Sequence, residues 1–189
     1  MATMYSLLFG ILFTAVCGNL DAIHHIVSPP TSLGQENDAH SMRVRIIEIA
    51  TAEIGVREAT GNNDGERVEV YLAYTGLGKG HAWCAAFVSW CYAQAGFPEP
   101  RNAWSPALFP NARTYCRGNA CRDSKTSVRI KPADVFGIYG YGAKRINHVG
   151  LVQGIEPNYI LTVEGNVENR VLAKRRHLST INAFSNWIE

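Results

Sequence analysis

Apolar positions divide the chain into a first part of helical periodicity and a second part of short, strand-like runs. In MRVRIIEIATAEIG, Val44, Ile47 and Ala50 or Ile54 recur at helical spacing, with Ser41 placed to cap the segment and Gly55 to close it, which predicts a first helix. Turn formers at Gly61 to Gly65 follow, then a helical patch over residues 67–74 and a glycine-rich approach to Trp83. The strongest helical signal runs over residues 84–95. Beyond it, FPEPRNAWSPALFPNARTYCRGNACRDSKTS is rich in Pro and Asn and predicts an irregular excursion with one short helix near residues 107–116. Residues 133–139, 146–153 and 159–166 then read as strands, separated by turn signals at Gly140 to Gly142 and Glu156-Pro-Asn158, and residues 170–178 offer a fourth. Helices first and an antiparallel sheet afterwards predict an α+β fold.

Length and composition add one globular domain to this picture. The chain has 189 residues, 47% hydrophobic and 18% charged, enough for a single core with an N-terminal extension. A net charge of +2 falls well short of a nucleic-acid footprint, so no nucleic-acid partner is expected. The apolar run from Met4 to Cys17 is too short, at about 1.5 Å per residue, to span a core of roughly 30 Å comfortably, and it reads as the apolar part of a signal peptide. The expected organisation is a signal peptide over 1–20, a linker or mobile arm over 21–41 and a catalytic domain over 42–189. The mature protein is expected to be a secreted or periplasmic monomer without stable membrane insertion. Lipid anchoring at Cys17 is the lesser alternative, because Val16 is bulky for a lipoprotein signal. His24 and His25, in the arm, are read as solvated.

The chemistry concentrates in HAWCAAFVSWCYAQAG. A thiol becomes nucleophilic when its pKa is lowered, and a helix N-terminus does this with its partial positive charge and unpaired N–H groups. Cys84 sits at such a position. Cys91 lies two turns further on among Phe87, Val88 and Tyr92 and reads as a small packing residue. A base is offered by His148 in INHVGLV, where period two sets His148, Gly150 and Val152 on one face and Gly150 leaves room beside the imidazole. The duller reading is a core histidine with a satisfied hydrogen bond. The next run ends in Thr162-Val-Glu-Gly-Asn166, whose Glu164 and Asn166 are two apart and polar in an apolar setting, and either could orient the imidazole.

Together these residues resemble the cysteine- and histidine-dependent amidohydrolase/peptidase (CHAP) family, a papain-like fold related to NlpC-type cell-wall peptidases. The resemblance is carried by Trp83-Cys84-Ala-Ala-Phe87-Val88, Pro132-Ala-Asp134-Val135, His148-Val-Gly-Leu-Val152 and Val163-Glu164-Gly-Asn166, in that order. It implies a papain-like α+β fold, Cys84 as nucleophile, His148 as general base and acid, Glu164 as orienting group and Asn166 as an accessory polar residue. The backbone N–H of Cys84 would contribute to an oxyanion hole. It also implies peptidoglycan as substrate, with either the muramoyl–alanine amide or a bond of the peptide stem being cut, and no cofactor. Amidase action on a small γ-glutamyl or polyamine conjugate, and a non-catalytic wall-binding module, are the alternatives.

Some members of that family hold calcium ahead of the cysteine. Here Thr60-Gly-Asn-Asn-Asp64-Gly65-Glu66 fails the EF-hand template, which would place Thr60 and Tyr71 at carboxylate positions, so no metal is expected. His81 could join Cys84 and His148 as a zinc ligand, but metal-ligand spacing such as Cys-x-x-Cys is missing, so zinc is not expected. Gly76-Leu-Gly-Lys-Gly80 lacks the spacing of a phosphate loop and reads as the rim of a cleft. Trp83, Tyr139 and Tyr141, with Trp104, are candidates for lining a substrate groove. Cys116 and Cys121 suit a short disulfide in an exported protein. The run from Lys174 to His177 reads as a solvated strand edge, or as a basic contact for an anionic polymer.

Overall fold

The computed structural model describes residues 32–122 and 129–189; the predicted signal peptide and the first part of the predicted arm lie outside them. Three helices, α1 (Ser32–Ala52), α2 (Glu66–Tyr74) and α3 (Cys84–Gln94), precede an antiparallel sheet. Its strands are β1 (Thr114–Arg117), β2 (Val135–Gly140), β3 (Arg145–Glu156), β4 (Tyr159–Val167), β5 (Arg170–His177) and β6 (Ala183–Ser185), in the spatial order β1-β6-β2-β3-β4-β5. The α+β class is the one expected.

α3 is the central pillar. Every residue from Cys84 to Tyr92 is buried, as a helix that is apolar all round must be. It packs with α1, α2 and one face of the sheet, through Val135, Val149, Leu151 and Val163 among others. The neighbouring positions Phe136 and Val152 join Ile160, Ile181 and Phe184 in a second apolar cluster, as the alternation of side chains along a strand requires. The predicted disulfide joins Cys116 and Cys121 at the edge of that second cluster.

Two predicted elements differ. The short helix expected near residues 107–116 is a 3₁₀ turn at Ser105–Leu108 followed by β1, which pairs with β6. Pro106 suits the first turn, but Pro110 cannot continue a helix, and three- and four-residue strands are too short to show a period. The first helix begins at Ser32, so Ser41 lies inside it and not at its cap, and residues 32–41 are helical where an arm was expected. Its buried face also differs, since Arg43, Ile46, Ala50 and Glu53 are inside while Val44 and Ile54 stay exposed. Both buried charges are paired with opposite charge, which is what permits their burial, although Arg43 Nε itself has no hydrogen-bond partner. Arg43 donates to Asp134 Oδ1 at 2.8 Å and to the Pro132 carbonyl at 2.7 Å, and Glu53 accepts from Arg67 and Tyr71.

Candidate active site

Cys84 opens α3 at the helix N-terminus and is only 4% exposed. The turn into it is fixed by Trp83, whose Nε1 donates to the buried Glu58 Oε1 at 2.8 Å and whose ring packs on Tyr71 and Phe87. Trp83 is fully buried, which corrects its expected place in a substrate groove: it anchors the turn into Cys84. Burial alone would raise the Cys84 thiol. Hydrogen bonds from His148, Ser105 and the Val149 N–H, with the charge of His148, outweigh burial and bring it below the ordinary thiol range. Ser105 Oγ lies 3.4 Å from the sulfur. Cys91 has no such partners, and burial pushes its thiol well above the ordinary range, so it is chemically inert.

His148 stands on β3 opposite Ile138 of β2. Its Nε2 donates to Glu164 Oε2 at 2.7 Å, which leaves Nδ1 as the nitrogen for the thiol. Burial works against the imidazolium, but the bonds and charges of Cys84 and Glu164 raise the ring to about 9. A lowered thiol facing a raised imidazole favours passage of the proton from sulfur to ring. The room that Gly150 leaves is used by the residues that steady the ring: a Cβ there would lie 2.8 Å from Glu164 Cγ and 2.8 Å from Phe136 Cε1.

Glu164 itself is fully buried. Burial would raise its carboxyl, yet Arg176, His148 and Thr162 together hold it down at about 2. Arg176 grips it with two bonds, Nε to Oε1 at 2.8 Å and Nη2 to Oε2 at 2.7 Å, and the Thr162 hydroxyl donates to Oε1 at 2.6 Å. β4 can lie this close to α3 because Gly165 carries no Cβ, which would meet Phe87 and Trp83 at 2.8 Å.

Cys84, His148 and Glu164 all lie within residues 76–166, the segment that matches the CHAP domain family. Over those residues the chain is similar to the CHAP domain family. Such domains are cysteine- and histidine-dependent amidohydrolases or peptidases. No curated protein and no solved structure matches the chain.

Within the matched segment, Asn166 is not placed as its spacing suggests. It has φ of 61°, at an irregularity in the β4–β5 pairing between Glu164 and Val167, so the two-residue alternation breaks and its side chain makes no hydrogen bond with the imidazole. The run expected to be a solvated edge does lie on β5, the end strand of the sheet, with its side chains exposed or half-buried, but its charges are also paired. Lys174 bonds Glu168, Arg175 bonds Glu156, and Arg176 clamps Glu164 from outside the matched segment. Tyr139 and Tyr141 form an edge-to-face pair with ring centres 5.4 Å apart, Tyr141 being 85% exposed in the β2–β3 turn. His81 and Trp104 line a cleft of about 380 Å³ beside Leu77, Ala82 and Arg101. In the loop ahead of the cysteine, Asp64 accepts from the Thr60 N–H and hydroxyl, so this carboxylate is occupied in closing the loop.

Proposed function

We propose that this protein is an exported cysteine amidohydrolase or peptidase of papain-like layout that cleaves an amide bond of bacterial peptidoglycan. The observation that carries the reading is the lowered Cys84 thiol beside the raised His148 imidazole, held in place by a buried Glu164. The Cys84 thiolate adds to the amide carbonyl, and charge builds on the carbonyl oxygen beside the first-turn N–H groups of α3, which have no intrahelical acceptors. His148 then gives its proton to the departing nitrogen as the C–N bond breaks, leaving a thioester on Cys84 and a free amine. The neutral imidazole takes a proton from water, the resulting hydroxide equivalent attacks the thioester, and the carboxylic acid leaves as the thiolate and imidazolium are restored. Glu164 keeps the ring in the required tautomer and favours its charged form. The apolar run from Met4 to Cys17 supports export.

The test is incubation of isolated sacculi with the protein and with Cys84→Ala, followed by mass analysis of released fragments. New amine or muramyl termini that require Cys84 are the expected result, and they identify the bond. Sacculi left intact by a protein whose Cys84 alkylates rapidly at neutral pH would sink the peptidoglycan reading and point to a smaller amide substrate.

A further inference from the structure

The geometry points to the cleft beside Cys84 as a subsite for a carboxylate-bearing residue of the substrate, gripped by Arg101 and covered by Trp104. The inference rests on the hydrolase reading for its place beside the scissile amide. Both walls adjoin, along the chain, residues at the sulfur. Ala82 stands two residues before Cys84, and Trp104 immediately precedes Ser105, whose hydroxyl lies 3.4 Å from Sγ. A volume of about 380 Å³ falls within the range of small-molecule sites and would hold one or two residues of a peptide.

The wall that carries Trp104 is built rigidly from α3. Ser89, fully buried in that helix, donates to the Asn102 carbonyl at 3.0 Å and accepts from the Asn102 N–H at 3.1 Å. Asn102 Oδ1 then accepts from the Trp104 N–H at 2.8 Å. A loop pinned in this way nonetheless leaves the Trp104 ring 60% exposed, on the cleft. An indole fixed in water beside a nucleophile is a ready platform for an apolar or ring face.

Arg101 supplies the charge. Its Nε donates to the Tyr74 carbonyl at 3.0 Å, and its guanidinium lies 5.0 Å from the centre of the Tyr74 ring, so its direction is set. Among the described residues no carboxylate forms an ion pair with it, and the terminal nitrogens remain for a ligand; Arg67, Arg170, Arg175 and Arg176 each hold a Glu. The cleft lining contains no Asp or Glu, and His81 is its other ionisable side chain. Two parallel N–H donors match a carboxylate, and the peptide of a cell-wall substrate carries carboxyl groups close to its amide bonds.

The experiment measures binding to the full Cys84→Ala chain by calorimetry, so that no turnover is needed. The probes are two synthetic muramyl peptides that differ only in whether the carboxyl nearest the candidate scissile amide is free or amidated. The free acid is expected to bind ten- to a hundredfold more tightly, the range of charge-assisted hydrogen bonds. Adding Arg101→Gln should abolish that preference, and Trp104→Ala should weaken both peptides alike. Equal affinity for the two peptides, a preference that survives Arg101→Gln, or no binding of either would overturn the inference. Preferential binding by Cys84→Ala, with no cleavage of either peptide by the intact protein, would keep the subsite and retire the hydrolase reading.

Discussion

The charge state of this site depends on a few atoms, and the first test belongs to them. With Glu164 a carboxylate and His148 raised to about 9, Cys84 is a thiolate wherever its own lowered pKa is exceeded and His148 is still protonated. Alkylation of Cys84 by iodoacetamide should therefore already be fast at neutral pH, and amide cleavage should fall as pH rises through about 9, where the general acid is lost. In His148→Ala the largest remaining influence on the thiol is burial, which raises it, so alkylation at pH 7 should drop at least about tenfold. An unchanged rate would mean that the helix end alone ionises the thiol. The same shifts fix the sign for stability. The His148 contribution is full below its ordinary value near 6.5 and is lost as pH rises through about 9; that of Glu164 is full above about 4.5 and lost as pH falls toward 2.

Arg176 is the residue the sequence reading missed. An arginine in a charged, alternating strand reads as solvated, whereas a catalytic thiol and imidazole announce themselves by type and by their place on a helix start and a strand. A signal did exist. Glu164 pairs with Leu172 on β5, so period two places Lys174 and Arg176 on the face of a buried carboxylate that must have a cation. Arg176→Ala should cost about 1–3 kcal/mol of stability, less than a fully buried pair because the guanidinium is partly exposed. It should lower kcat with little change in KM and distort the pH profile of Cys84 alkylation, because Glu164 no longer holds Nε2. Arg176→Lys keeps the charge without the fork and should recover only part of both. A loss of melting temperature with an unaltered alkylation profile would make Arg176 structural alone.

At the scale of elements, legibility followed length and the location of charge. β2 to β5, α2 and α3 each have enough periodic positions to be read, with ends shifted by a residue or a few. β1 and β6 do not, and α1 misled because its buried stripe begins on Arg43 and runs on to Glu53 just past its end, charged residues whose partners lie on other elements. Close approach between strands was legible only as a small residue. At Gly150 the consequence is specific, since a Cβ would strike Glu164 Cγ and the Phe136 ring, while at Gly165 it would strike Phe87 and Trp83. Gly150→Ala should thus displace the carboxylate and reduce kcat by more than tenfold for a stability cost of about 1–3 kcal/mol. Gly165→Ala should act mainly on stability, by separating β4 from α3. Equal loss of activity per degree of melting temperature in the two variants would refute this division, and thermal denaturation with matched kinetics reads it.

For the whole molecule, the segment that defines the family is smaller than the machine that holds its site. Residues 76–166 contain Cys84, His148 and Glu164 but omit Glu58, which anchors Trp83 under the nucleophile, and Arg176, which clamps the carboxylate. They omit β5, the pairing partner of β4, and β6, which lies between β1 and β2. They also omit α1, whose Arg43 ties the entry of β2 at Asp134 to Asn186 and Glu189 near the end of the chain. Cut to 76–166, the chain would expose β4 as a hydrophobic edge and strand Glu164 without its cation, each a cost that a marginally stable fold cannot absorb. That fragment should therefore fail to melt cooperatively, and its Cys84 should alkylate like an ordinary thiol, whereas residues 32–189 should retain both the transition and the fast thiol. Rapid alkylation at neutral pH in the short fragment would mean that the thiolate needs only α3 and β3. The braces around Glu164 would then serve the later proton transfers instead of the ionisation of Cys84, a distinction that turnover by the same fragment would expose.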